Sequence, residues 1–256
     1  MAIKLGQQQL EMLQPRAFDL YITELIEHCK QTFPKLTQRL PEPELRTALI
    51  EALKKTTQNG ITDNQPTLYY IDLMILLGAD FQTDPQYAWI NDWFIETANY
   101  SQLAQTGYLH GDCLDYLGEM YGDNDIHKYA TANQLKEFDL SHYTLSAENF
   151  DEEILFILKD IFPKKAELVG DKALTNLITQ AKQTAANDYQ YTRVDQTAYF
   201  IITCYLYGHQ FNADPFIPEV KALANTFNQQ HDYLDNRAAL NQLLISAIEQ
   251  WYEIVI

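Results

Sequence analysis

Long apolar runs are missing from this sequence. No stretch reaches the roughly 18 uncharged apolar residues that a membrane-crossing helix needs, so no membrane association is expected. The N-terminal stretch MAIKLGQQQLEML turns polar after Gly6 and lacks the apolar core of a secretory signal. Cysteine is scarce as well: Cys29, Cys113 and Cys204 are odd in number, far apart and without a CxxC spacing. That excludes a zinc or redox pair by spacing and leaves reduced, buried thiols as the expectation. Together these gaps predict a cytoplasmic chain.

Positive charge is the next shortage. The 18 Lys and Arg against 35 Asp and Glu leave a formal charge of -17, which repels phosphate backbones and anionic lipid head groups. Nucleic acid and membrane surfaces are therefore excluded as expected partners, and a basic protein is favoured. Catalytic signatures are lacking too: HExxH, GxSxG, a P-loop and GxGxxG do not occur around His28, His110, His127, His142, His209 or His231. His110 and Cys113 share a helical face by spacing, yet spacing supplies neither an orienting third group nor oxyanion donors. The expectation is a protein that is not an enzyme and that carries no cofactor and no metal.

What is present is the composition of a folded domain: 46% of residues are hydrophobic and 21% charged, enough to bury a core over 256 residues. The chain also repeats itself. TDNQPTLYYIDLMILLGADFQTDP (62–85) and TRVDQTAYFIITCYLYGHQFNADP (192–215) match without a gap at nine of 24 positions, among them Gly78/Gly208, Phe81/Phe211, Asp84/Asp214 and Pro85/Pro215. Upstream, Phe33-Pro34-Lys35 answers Phe162-Pro163-Lys164 at an offset of 129 instead of 130.

Each copy reads as three helical segments. Leu25, Ile26, Cys29 and Phe33 fall at the 3- and 4-residue steps of one helix face, and the following Pro ends that helix. The second segment carries an equally regular stripe, with Asp171 as the N-cap in the second copy. The third, from Gln65 to Leu77 and from Gln196 to Tyr207, is apolar nearly all round and should be central. Gly78 and Gly208 should stop it, and Asp84 and Asp214 should cap a new helical start at Pro85 and Pro215. The resulting expectation is an all-α helical bundle of two tandem pseudo-repeats of about 80 residues. A first unit lies in 1–100, an acidic helical linking segment in 101–147, and a second unit in 148–256. The last of these ends in a closing helix with Leu240, Leu243, Leu244, Ala247, Ile248 and Trp251 on one face.

Charge is uneven along the chain. Residues 101–160 hold 12 acids and 3 bases, net -9, over half of the total excess. Asp112, Asp115 and Glu119 recur at helical steps there, Asp123 and Asp125 follow in a turn, and tyrosines such as Tyr116 and Tyr121 are interleaved. Seven residues, Asp112, Asp115, Tyr116, Glu119, Tyr121, Asp123 and Asp125, therefore form the expected partner-binding patch, with the acids steering a basic protein and the rings anchoring it. A solvated helix face is the alternative. Asp123-Asn124-Asp125 opens like a Ca²⁺ loop, but Lys128 and Gln134 stand where that loop needs Gly and Glu.

Residues 59–89, NGITDNQPTLYYIDLMILLGADFQTDPQYAW, carry a Gly-Ile-Thr, a Tyr-Ile-Asp-Leu-Met helix, a Gly-x-Asp-Phe turn and an Asp-Pro-x-x-x-Trp close. In this the chain resembles a family of bacterial helical proteins encoded beside type VI secretion effector genes. The second copy departs from the pattern at Ile202, Thr203 and Cys204 and has Glu219 in place of Trp89. The resemblance implies an immunity protein that neutralises a cognate toxin, or else an adaptor that holds an effector for loading. The acidic charge favours immunity, because many delivered toxins are nucleases with basic clefts.

Overall fold

The computed structural model describes residues 7–221, with side chains from residue 16 onward. Among the described residues there are eleven α-helices, five 3-10 turns and no strand. The expected closing helix lies outside the described residues.

The first four helices are α1 (Gln7–Thr32), α2 (Pro34–Arg39), α3 (Glu42–Gln58) and α4 (Asn64–Leu77). Pro34 does end α1, because Phe33 leaves helical geometry at φ -126 and ψ 61. It also starts the short helix α2 as its first residue, where a missing N–H costs nothing. The three-segment reading thus missed a fourth helix. α4 is buried almost throughout, as its uniform apolarity requires, and packs on α3 and on α6.

After α4 come the 3-10 turns Phe81–Thr83 and Pro85–Tyr87, then α5 (Ala88–Glu96), α6 (Gln102–Tyr121) and α7 (Ile126–Lys136). Helices α8 (Phe150–Ile161), α9 (Pro163–Val169), α10 (Asp171–Asn187) and α11 (Val194–Tyr207) follow, and the 3-10 turn Phe211–Ala213 comes after them. Asp171 is the first residue of α10 instead of its N-cap, a place taken by Gly170. α6 does more than connect, since it lies along α4 in one of the most extensive helix contacts of the fold.

Matched positions adopt matched backbones. Gly78 sits at φ 102, ψ 148 and Gly208 at φ 100, ψ 151, a region that only glycine visits without strain. Asp84 and Asp214 have φ/ψ of -71/124 and -75/121. Ring packing matches as well: Tyr70 lies 4.9 Å from Phe81, and Phe200 lies 5.2 Å from Phe211. A hydroxyl has changed places between the two settings. Tyr70 bonds Asn59 at 2.9 Å and Gln82 at 2.7 Å, whereas the phenol of Tyr189, at the position answering Asn59, bonds Asn212 at 2.8 Å, at the position answering Gln82.

Candidate functional site: the outer face of α6 and the buried carboxylates

Helix α6 begins at Ser101, whose hydroxyl accepts from Ala104 N–H at 3.3 Å, and ends before Gly122. Thr106, Leu109, Cys113, Leu117, Met120 and Tyr121 are buried along its inner side. Asp112, Asp115 and Glu119 are exposed on the outer side, as their spacing required. Glu119 pairs with Lys164 at 3.2 Å, while Asp112 and Asp115 make no ion pair among the described residues. Asp123 is exposed and Asp125 partly so, in a turn where Asn124 and Asp125 both take left-handed φ of 54 and 57.

The two tyrosines of the expected patch are not beside these acids. Tyr121 is 5% exposed, with the Nζ of buried Lys128 standing 5.6 Å from its ring centre. Tyr116 turns inward onto Tyr87 and Trp89, at 6.1 and 5.9 Å, and its buried hydroxyl has no hydrogen-bond partner among the described residues. Their anchoring role is therefore withdrawn. The signal was in the spacing: Cys113, Tyr116, Leu117 and Met120 follow the i, i+3, i+4, i+7 pattern of the buried stripe. Tyr108, four residues before Asp112, is the tyrosine of α6 that does face outward, and Tyr129 of α7 does so as well, each at 62% exposure.

The outer side holds a second row, Leu103, Gly107, Gly111, Leu114 and Gly118, one residue before each member of the acidic row from Gly107 onward. A Cβ added at Gly111 or Gly118 would meet nothing within 4 Å. Among the described residues nothing requires glycine at either place, although each costs a helix interior roughly 1 kcal/mol relative to Ala.

Three buried polar features escaped the sequence reading. Asp72, in the middle of α4, accepts from His28 Nε2 of α1 at 2.7 Å and stands 3.5 Å from His110 Nε2 of α6, which also stacks near Tyr69. At the sequence offsets of 129 and 130 the positions matching His28 and Asp72 are Ile157 and Ile202, both buried. Burial, with Asp72 nearby, pushes the Cys29 thiol up to about 12, and burial followed by the charge of Asp112 does the same to Cys113. Cys113 is thus held as a thiol, three residues from a histidine directed at Asp72.

The second feature joins the two halves. Asp84 Oδ2 accepts from His209 N–H and Asp214 Oδ2 from Ala79 N–H, both at 2.8 Å. Their other oxygens cap the turns that follow, from Gln86 N–H at 2.9 Å and Phe216 N–H at 2.8 Å, so the expected capping role is present. Burial pushes the Asp214 carboxyl up to about 6 against the pull of those N–H groups.

The third feature is Lys165 of α9, whose ammonium donates to the carbonyl of Tyr205 and faces the rings of Tyr205 and Tyr87 at 4.8 and 5.9 Å. Burial lowers it to about 8, opposed by the charge of Asp84. Leu36, also buried, holds the matching place in α2.

No family model, curated protein or solved structure matches the chain. Among the described residues, no group of three His, Cys, Asp or Glu is arranged to hold a metal, and no helix is long and apolar enough to cross a membrane.

Proposed function

We propose that this chain is an immunity-type protein that captures a basic partner, most directly a toxin domain, through the acidic outer face of α6 and the turn beyond it. The observation that carries the reading is that Asp112 and Asp115 are exposed and have no ion pair among the described residues. Carboxylates left without a counter-charge raise the local negative potential and speed the encounter with a basic surface. Glu119, Asp123 and Asp125 extend that potential. Tyr108 supplies the outward ring that Tyr116 and Tyr121 cannot.

The architecture behind this face is proposed to be a duplication: two tandem units of about 80 residues, the second lacking the polar pair His28–Asp72. Matched glycine dihedrals, matched ring pairs and the crossed carboxylates of Asp84 and Asp214 support it. The alternative of an effector adaptor is favoured by one observation, the exposed Leu103 and Leu114 on the same helix, because a loading factor holds apolar segments.

The test is association kinetics with the protein encoded next to this one. Reversal of Asp112 and Asp115 to Lys should slow association strongly at low salt and far less at high salt, since exposed charges are screened over about 8–10 Å near physiological ionic strength. An unchanged rate at low salt would reduce the row to a solvated helix face. Rescue of cells from the neighbouring protein's toxicity separates immunity from loading.

A further inference from the structure

We infer that the outer face of α6 seats a basic amphipathic α-helix of the partner protein, packed along the seam Leu103–Gly107–Gly111–Leu114–Gly118. The inference rests on the function proposed above for the sign of the partner's charge. It goes further by assigning the partner's secondary structure and the line of contact.

Among the described residues the seam is open at Leu103, Gly111, Leu114 and Gly118, while at Gly107 it borders the ring of Tyr69, 3.6 Å from an added Cβ. Leu103 is 52% and Leu114 46% exposed, on a helix whose opposite side is already buried against α4. Steps of 4, 4, 3 and 4 residues keep Leu103, Gly107, Gly111, Leu114 and Gly118 on one stripe along the whole of α6. Leucine projects and glycine recedes, so the stripe sets knobs at Leu103 and Leu114 beside holes at Gly111 and Gly118, the relief that the side chains of a second helix fill. Gly111 and Gly118 have nothing within 4 Å of an added Cβ, so their smallness serves no contact among the described residues. Beside the seam runs the row Tyr108, Asp112, Asp115 and Glu119, offset by one residue.

Charge selects the occupant. A second copy of this chain would bring Asp112, Asp115 and Glu119 against acids of its own kind, on a molecule of formal charge -17. A helix with an apolar stripe flanked by Lys or Arg satisfies both rows at once: its apolar residues cover Leu103 and Leu114 and enter the glycine holes, and its cations face Asp112 and Asp115.

Two synthetic 21-residue peptides of equal Lys, Leu and Ala content and equal charge serve as probes, one able to form an amphipathic helix and one interrupted by proline. Each is titrated against the full chain and followed by calorimetry. The helical peptide should bind at least about 10-fold more tightly than the proline peptide. Gly111→Leu with Gly118→Leu, which alters no charge, should remove about 10-fold or more of that affinity. Gly111→Ala, which adds a single methyl and helix propensity, should weaken binding less while leaving the circular dichroism unchanged. Reversal of Asp112 and Asp115 should weaken both peptides, and reversal of the exposed Glu51 and Glu152 should weaken neither as much. If charge reversal at Asp112 and Asp115 matters but filling Gly111 and Gly118 does not, helix packing is overturned and the acidic-face reading survives. If the Glu51 and Glu152 reversals cost as much, the acidic-face reading falls as well. A concentration-dependent dimer of the chain that Gly111→Leu abolishes would assign the seam to a second copy and overturn the inference.

Discussion

Asp84 and Asp214 accept hydrogen bonds crosswise: each carboxylate caps the turn after it with one oxygen and holds the opposite Gly-x-x-Phe turn with the second. The two turns meet back to back, with the Cβ of any side chain at Gly78 placed 3.6 Å from the Cα of Gly208. A buried carboxylate is costly, and four backbone N–H groups shared between two of them offset much of that cost.

Asp214→Asn should destabilise the protein by about 1–3 kcal/mol at pH 7, because an amide accepts at one atom only and its NH₂ would confront an N–H donor. The sign with pH follows from a folded carboxyl at about 6 against 3.8 unfolded. A raised acid favours the folded state in its protonated form, so its contribution is complete below about 3.8 and is lost as pH rises through about 6. The window is worth about 3 kcal/mol. The gap between wild type and Asp214→Asn, measured by urea unfolding, should therefore widen as pH falls from 7 to 4. A gap that narrows would mean that Asp214 is not carrying a buried charge.

Substitution at the meeting point should be severe and unequal. A Cβ at Gly78 would lie 2.9 Å from the carbonyl oxygen of Tyr207, whereas one at Gly208 would lie 3.3 Å from that of Leu77. Gly78→Ala should cost about 3 kcal/mol or more, combining a forbidden φ with a backbone clash, and Gly208→Ala somewhat less. Thermal midpoints in the reverse order would refute this account of the joint.

Lys165→Leu should stabilise the protein by about 1–3 kcal/mol at pH 7, since it removes a buried ammonium at the place where α2 already carries Leu36. Asp84 keeps its partners His209 N–H and Gln86 in that variant. A lysine lowered to about 8 disfavours folding below that pH, and the penalty fades as pH rises toward 10.5. The advantage of Lys165→Leu should shrink on going from pH 7 to 10. Destabilisation at pH 7 would show that Lys165 gains more from Asp84 and the two rings than it loses in water.

The pair His28–Asp72 has an internal control in Ile157 and Ile202. Asp72→Ile alone should cost about 1–3 kcal/mol, because His28 loses its acceptor and the new side chain meets an imidazole. The double variant His28→Ile with Asp72→Ile should recover at least about half of that loss, with His110 still facing the new side chain. A double-mutant cycle with no coupling would show that Ile157 and Ile202 are not a valid template for His28 and Asp72.

Much of this molecule was legible from residue order. Periodicity placed the helical segments, uniform apolarity marked α4 and α11 as central, and Gly78 and Gly208 marked their ends, because helix formation and termination depend on residues a few places apart. The outward position of Asp112, Asp115 and Glu119 follows from the same 3.6-residue period, and applying it to Tyr116 and Tyr121 would have turned both inward. Tertiary structure alone decided which faces meet. Asp72 between His28 and His110, Asp84 on His209, Asp214 on Ala79 and Lys165 over Tyr87 join positions more than 35 residues apart. A helical pattern states which side of a segment is buried, but packing chooses what covers it, and only that choice separates a buried carboxylate holding two backbone N–H groups from an ordinary surface acid.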